Sequence, residues 1–166
     1  MSTLLVVRHA EAEEPVEAAR EGRSEGERRL TKDGIKLMRK GARGLATLVD
    51  PPALILSSPL VRAVETADLL AEAFPNVKRE DHARLAPGFD RAALLHWAGG
   101  RHGTLALVGH EPDLSQFIGY AVSGSPRSLA RMKKGSICRL DLPPSAQAGE
   151  AEIVWLLTLK QLAALA

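Results

Sequence analysis

Leu4-Leu5-Val6-Val7-Arg8-His9 is the stretch on which the fold turns. Four apolar residues in a row suit a strand covered on both faces, as in a parallel sheet with helices on either side. The run ends in a guanidinium and an imidazole. In open parallel sheets ligands sit outside the carboxyl ends of the strands, so a cation and an imidazole placed there predict a site. A second stretch repeats the arrangement: Thr104-Leu105-Ala106-Leu107-Val108 runs into Gly109-His110-Glu111-Pro112. Two strand-end histidines, one of them beside an arginine, point to imidazole chemistry on an anion.

Working outward, apolar runs alternate with amphipathic segments, which predicts α/β architecture around a mainly parallel sheet. Ala53 to Leu56 reads as a further strand. A first helix is predicted over Lys32 to Leu48, capped by Thr31, with Ile35, Met38, Ala42, Leu45 and Leu48 on its apolar face. Gly34, Gly41 and Gly44 weaken that helix or permit close packing. A second helix follows Ser57-Ser58-Pro59, where serine can cap and proline suits the first turn. Asp90 to Ala98 reads as a short helix, and Pro112 opens another with Leu114, Phe117, Ile118 and Ala121 turned inward. Ser136 to Leu142 and Glu152 to Leu159 flank Pro143-Pro144 and read as two strands, antiparallel to one another. The seven glutamates between Glu11 and Glu27, with few apolar residues and no period, predict an exposed loop beside the first strand's end. Leu159 to Ala166 reads as a frayed helix, and Trp97 and Trp155 as core residues.

A chain of 166 residues, 45% hydrophobic and 25% charged, fits one globular domain spanning residues 1–166. A net charge of +2, and aromatics limited to two Trp, one Tyr and three Phe, argue against nucleic-acid binding. Arg131-Met132-Lys133-Lys134 reads as a solvated turn. The single cysteine, Cys138, excludes an internal disulfide and a cysteine metal site, and reads as a core filler. Neither a signal peptide nor an apolar run of ~20 residues is visible, so a cytoplasmic chain without membrane association is expected.

Arg8 offers a permanently charged fork suited to phosphate or carboxylate. His9 beside it can be a nucleophile, a base or a metal ligand. Arg62, just inside the second helix, would project near a strand end and a helix amino terminus, both of which favour anions. Alone it would read as a surface arginine, and His110 alone as a packing residue. Together the four give two guanidiniums and two imidazoles, whose positive excess suits a phosphoryl group. Two histidines are a poor zinc site, and further ligands would have to come from the Glu11–Glu27 segment, so no metal or other cofactor is expected. His82, His96 and His102 have no partner pattern and are assigned no role.

These residues carry a resemblance. Arg8-His9-Ala10 resembles the Arg-His-Gly signature of the histidine phosphatase superfamily. Ser57-Ser58-Pro59-Leu60-Val61-Arg62-Ala63-Val64-Glu65-Thr66-Ala67 resembles its Ser-Pro-x-x-Arg-Ala-x-x-Thr-Ala segment, and Val108-Gly109-His110 its second-histidine motif. Arg28-Arg29-Leu30-Thr31-Lys32-Asp33-Gly34 is similar to the Arg-Pro-Leu-Thr-like stretch of the SixA-type phosphohistidine phosphatases. The match runs in order over roughly residues 3–122. It implies a phosphoglycerate-mutase-like, three-layer sandwich with helices on both faces of the sheet. It further implies that His9 attacks phosphorus, Arg8 and Arg62 bind the phosphoryl oxygens, His110 stabilises the transition state, and Arg28 contacts phosphate or shapes the rim.

Two departures bear on substrate. Ala10 replaces the usual glycine, so a methyl group either narrows the pocket or constrains the backbone. Relatives acting on small phosphate esters generally carry a glutamate after the second helix, where this chain has Leu85-Ala86-Pro87-Gly88. An alkoxide leaving group needs a proton donor, whereas an imidazole leaving from phosphohistidine depends on one less. Glu11, Glu13 and Asp90 are the substitutes considered. The expected substrate is therefore phosphohistidine on a signalling or phosphotransfer protein. A small phosphate ester is the alternative, and a non-catalytic phosphate-binding module a third. The short interval from Arg62 to His110 leaves little room for a lid and predicts an open pocket.

Overall fold

The computed structural model describes residues Met1–Ala166. Six strands form one sheet: β1 Ser2–Arg8, β2 Leu54–Ser57, β3 Lys78–Asp81, β4 Gly103–Gly109, β5 Ile137–Leu142 and β6 Glu152–Leu157. Their order across the sheet is β3-β2-β4-β1-β5-β6. The first four run parallel, while β5 is antiparallel to β1 and β6 to β5. The helices are α1 Pro15–Arg20, α2 Lys32–Leu45, α3 Val61–Ala73, α4 Arg91–Gly99, α5 Asp113–Ser123 and α6 Leu159–Ala163.

The continuous apolar runs have the two-sided burial expected of them. Leu4 and Val6 of β1, with Leu105 and Leu107 of β4, join a core under α4 and α5 that includes Leu94, Leu114 and Phe117. Leu5, Val7, Ala106 and Val108 face the other way, against Met38 and Ala42 of α2, Ala67 and Leu70 of α3, and Leu162 of α6. Alternation along a strand sends successive side chains to opposite layers, and here both layers are apolar. The result is the three-layer α/β sandwich expected of a phosphoglycerate-mutase-like chain.

Thr31 caps α2 by accepting from the Gly34 amide at 2.9 Å. That helix ends at Leu45 rather than Leu48, and Leu48 is exposed in the following turn. Its glycines serve close packing: a Cβ on Gly44 would overlap the Leu162 carbonyl, and one on Gly41 the Leu159 side chain. The carboxyl-terminal turn α6 is therefore docked rather than frayed, with Leu159 and Leu162 buried and Thr158 capping it.

Three other expectations are corrected. The Glu11–Glu27 segment is ordered: it contains α1 and a 3₁₀ turn at Glu25–Glu27, and Ala12 bridges to Leu30. Trp97 and Trp155 are only half-buried, and Trp97 has the Arg84 and Arg101 guanidiniums 5.5 and 4.6 Å from its ring centre. Met132 is buried, so Arg131–Lys134 is not simply a solvated turn. Cys138 is buried, as a core filler should be, and burial pushes its thiol up to about 12. No helix is long and apolar enough to cross a membrane.

Candidate active site

The sheet register brings the two histidines together. Arg8 pairs with Gly109 across β1 and β4, and the His9 amide donates to the Gly109 carbonyl at 3.0 Å. His9 and His110 therefore leave adjacent strand ends, with ring centres 5.2 Å apart and planes tilted by 51°. The next strand, β2, ends at Ser57, and the Ser58 amide donates to the Val108 carbonyl at 2.9 Å. That anchor sets where α3 begins, and Arg62 lies in its first turn.

Second contacts hold the candidate residues. The Ala10 amide donates to Thr66 Oγ1 at 3.0 Å, and Thr66 donates to the Arg62 carbonyl at 2.7 Å. Thr66 thus ties the turn after β1 to the turn of α3 that carries Arg62. Ala10 is itself buried in the apolar core. The Ala10 carbonyl sits 2.7 Å from His9 Nδ1. A carbonyl can only accept, so Nδ1 carries the hydrogen and Nε2 keeps its lone pair.

The guanidiniums are oriented by backbone. Arg8 Nη1 donates to the Met132 carbonyl at 2.8 Å, so the loop before β5 closes one side. Arg62 Nη1 donates to the Glu25 carbonyl at 2.9 Å and Nη2 meets the Glu25 carboxylate at 3.2 Å. The same carboxylate takes Arg28 Nη1 at 2.8 Å, while Arg28 Nε donates to the Glu13 carbonyl at 3.0 Å. Arg28 therefore stands at the rim with Arg62, on the segment expected to be a plain loop. Arg8 Nε, Arg62 Nε and His110 Nδ1 are buried without hydrogen-bond partners. Beside Arg8 opens a cleft of about 610 Å³ between Glu111 and Ser115 of the α5 end and Ser128–Met132.

Burial and like charge govern the titration. His9, 6% exposed, is pushed down to about 4, chiefly by burial, with Arg62, Arg8 and Arg28 adding to it against the Ala10 hydrogen bond. Burial again leads in holding His110 at about 3, followed by His9, Arg62, Arg8 and Arg28. Both imidazoles are neutral at pH 7. Burial lowers Arg8 and Arg62 too, offset in part by Glu111 and Glu25 respectively.

The carboxylates considered as proton donors are engaged elsewhere. Glu13 is held at about 2 by Arg23 and the Arg29 amide, Glu11 accepts from Thr31, and Asp90 caps α4 through the Ala93 amide. The sequence reading missed Glu111, whose two oxygens accept from the Ser115 amide and hydroxyl at 3.1 and 2.6 Å. It also missed Ser58, Thr66, Glu25 and the Met132 carbonyl. Their adjacency to His110 and Arg62 in the motif stretches was a usable hint for Ser58 and Thr66 alone. His82 turns out to accept from the Arg84 amide at 3.0 Å, and His96 and His102 are exposed, all away from the site. No three His, Cys, Asp or Glu side chains converge as a metal site would require.

Residues 4–87 match the family model of the histidine phosphatase superfamily (branch 1). An uncharacterised protein of Picosynechococcus sp. is 32% identical over 120 residues, 70% of this chain and 73% of that protein. The chain belongs to the histidine phosphatase superfamily. Its fold is shared with the protein histidine phosphatase SixA complexed with tungstate, at a TM-score of 0.80 and 21% identity, over 96% of this chain and 99% of that one. A phosphoserine phosphatase from Entamoeba histolytica, in complex with 3-phosphoglyceric acid, superposes at a TM-score of 0.66 and 15% identity over 98% and 100% of the two chains.

Proposed function

We propose that this chain is a cytoplasmic phosphohistidine phosphatase of the SixA type, acting on a phosphorylated signalling or phosphotransfer protein without a metal. His9 Nε2 attacks phosphorus, Arg8 and Arg62 take up charge on the phosphoryl oxygens, and Arg28 widens the cationic rim. The phosphoryl group passes to Nε2 as the bond to the substrate imidazole breaks. Water then cleaves the enzyme's own phosphohistidine, releasing inorganic phosphate. His110 stabilises the charge developing in each step.

The observation that carries this reading is the hydrogen bond from His9 Nδ1 to the Ala10 carbonyl, which leaves a neutral, unblocked Nε2 among guanidiniums. The choice of phosphohistidine rests on the leaving group. Glu11, Glu13 and Asp90 accept hydrogen bonds in their present roles, and Leu85–Gly88 supplies no carboxyl group. A substrate whose leaving imidazole can arrive protonated depends less on such a donor. One observation favours small esters instead: Glu111 lines the cleft beside Arg8.

Relative rates decide between the two. Wild-type protein is expected to dephosphorylate a phosphohistidine-bearing phosphotransfer protein with a kcat/KM at least about 10²-fold above that for an aryl phosphate or phosphoserine, since general acid help is worth about that much or more. Equal or reversed rates overturn the phosphohistidine assignment. Turnover is expected to survive EDTA, and loss of activity in chelator that returns with a divalent ion would overturn the metal-free reading.

A further inference from the structure

We infer that Ser58 fixes the tautomer of His110, so that this imidazole presents an N–H rather than a lone pair to the phosphoryl group. The inference deepens the phosphatase reading above and rests on it for its catalytic consequence. Ser58 is a positioning residue: it acts through His110.

Ser58 is fully buried where β2 gives way to α3, and its amide is fixed to β4 two residues before His110. Its Oγ lies 2.7 Å from His110 Nε2. A serine hydroxyl has one hydrogen and two acceptor sites. One acceptor site takes the Leu60 amide at 3.3 Å. The hydrogen has a single acceptor within reach, which is Nε2 of His110. Ser58 therefore donates, Nε2 accepts, and a neutral ring must carry its own hydrogen on Nδ1. The ring is neutral because burial and the charges of Arg62, Arg8 and Arg28 hold its pKa far below the ordinary value.

That Nδ1 is one of the buried polar atoms with no partner. A buried N–H left unpaired is costly, and a site that holds one beside a nucleophile has a donor ready for an incoming oxygen. His9 is wired the other way. Its Nδ1 hydrogen goes to the Ala10 carbonyl and its Nε2 lone pair is what remains. Two imidazoles 5.2 Å apart thus take opposite roles, attacker and donor, because their outer partners differ: a carbonyl for one, a hydroxyl for the other. Neither role needs an imidazolium in the resting protein.

Histidine-¹⁵N NMR at neutral pH tests this directly, with vanadate as the phosphoryl probe. Wild-type His110 is expected as the Nδ1–H tautomer, and vanadate should shift Nδ1 more than Nε2. Ser58→Ala should move His110 toward the Nε2–H form and lower kcat on the order of 10-fold while KM stays within about twofold, the pattern of a contact made in the transition state. Ser58→Thr keeps the hydroxyl and should restore both the tautomer and kcat. A wild-type His110 protonated on Nε2, or an unchanged tautomer in Ser58→Ala, overturns the inference. The tautomer is read on the resting protein, so the two proposals fail separately. An Nδ1–H His110 in a protein that hydrolyses no phosphoryl substrate upholds the Ser58 wiring and overturns the hydrolase. Turnover with an Nε2–H His110 does the reverse.

Discussion

Two pairs of arginines on this molecule differ in what surrounds them. Arg84 and Arg101 are exposed and lie over Trp97 at the edge of the sheet, beside a groove of about 550 Å³ that also holds Lys78, His82 and His102. Arg8 ends β1 and Arg62 lies in the first turn of α3, the latter only 7% exposed, with backbone carbonyls holding their outer nitrogens. At the edge, water screens the charges and a cation–π contact adds about 0.5–1 kcal/mol. At the strand ends, where Arg62 is buried and Arg8 half-buried, the same charges help drive two imidazoles neutral and leave the inner Nε–H groups unpartnered. Positive charge alone does not make the site. Desolvation, with donors fixed by backbone before any ligand arrives, is what separates the two places.

Substitutions in matched pairs can break that contrast. The largest effect belongs to the proposed nucleophile: His9→Ala should lower turnover of a phosphohistidine protein by at least about 10³-fold, while Arg101→Ala changes it by less than about twofold. Steady-state rates on both variants check this, and substantial activity in His9→Ala removes the covalent mechanism. A smaller loss is expected when charge is kept but the fork is removed. Arg62→Lys should lower kcat/KM by about 10²-fold, because an ammonium cannot replace two directed donors, and Arg84→Lys should be silent. Equal losses in the two would mean that the field of the whole surface, not local geometry, is being measured.

The smallest effect is on stability and sharpens the contrast through pH. In the unfolded chain both site histidines take up a proton near their ordinary value of 6.5, whereas in the folded protein His9 does so near about 4 and His110 near about 3. Between 6.5 and about 4 the unfolded state binds more protons, so stability should fall as the pH is lowered through that window and be level above it. Each histidine contributes about 1.4 kcal/mol per pH unit inside the window. Urea unfolding midpoints measured from pH 7.5 to 4.5 should show the slope, and His110→Gln should reduce it. A flat profile would mean that the site is wetter than its burial implies.

Much of this architecture was legible because β1 and β4 are buried on both faces and so write continuous apolar runs. The edge strand β3 was not. Lys78-Arg79-Glu80-Asp81 is wholly charged, and it is a strand only because its backbone pairs with Leu54–Ser57. Pairing through the main chain leaves no mark on side-chain pattern, least of all at an exposed edge. α1 was missed for a related reason: it buries Ala18 alone, and its segment is held by the Glu13–Arg23 ion pair and the Ala12–Leu30 bridge rather than by an apolar stripe. In the site, Arg8, His9, Arg62 and His110 were visible as motif residues. The carbonyls of Ala10, Glu25 and Met132 that orient them were not, since every residue has one and only the tertiary fold selects which is used.

The covalent intermediate offers the most direct test of the central claim. Wild-type protein reacting with a phosphohistidine-bearing phosphotransfer protein would be quenched in alkali within the first turnover, digested, and the peptide spanning His9 weighed. The account predicts one phosphoryl group on His9, absent from the same peptide in water-chased samples and never formed in His9→Gln. Sustained turnover with no phosphoryl group on His9, or with the label on another side chain, would contradict it.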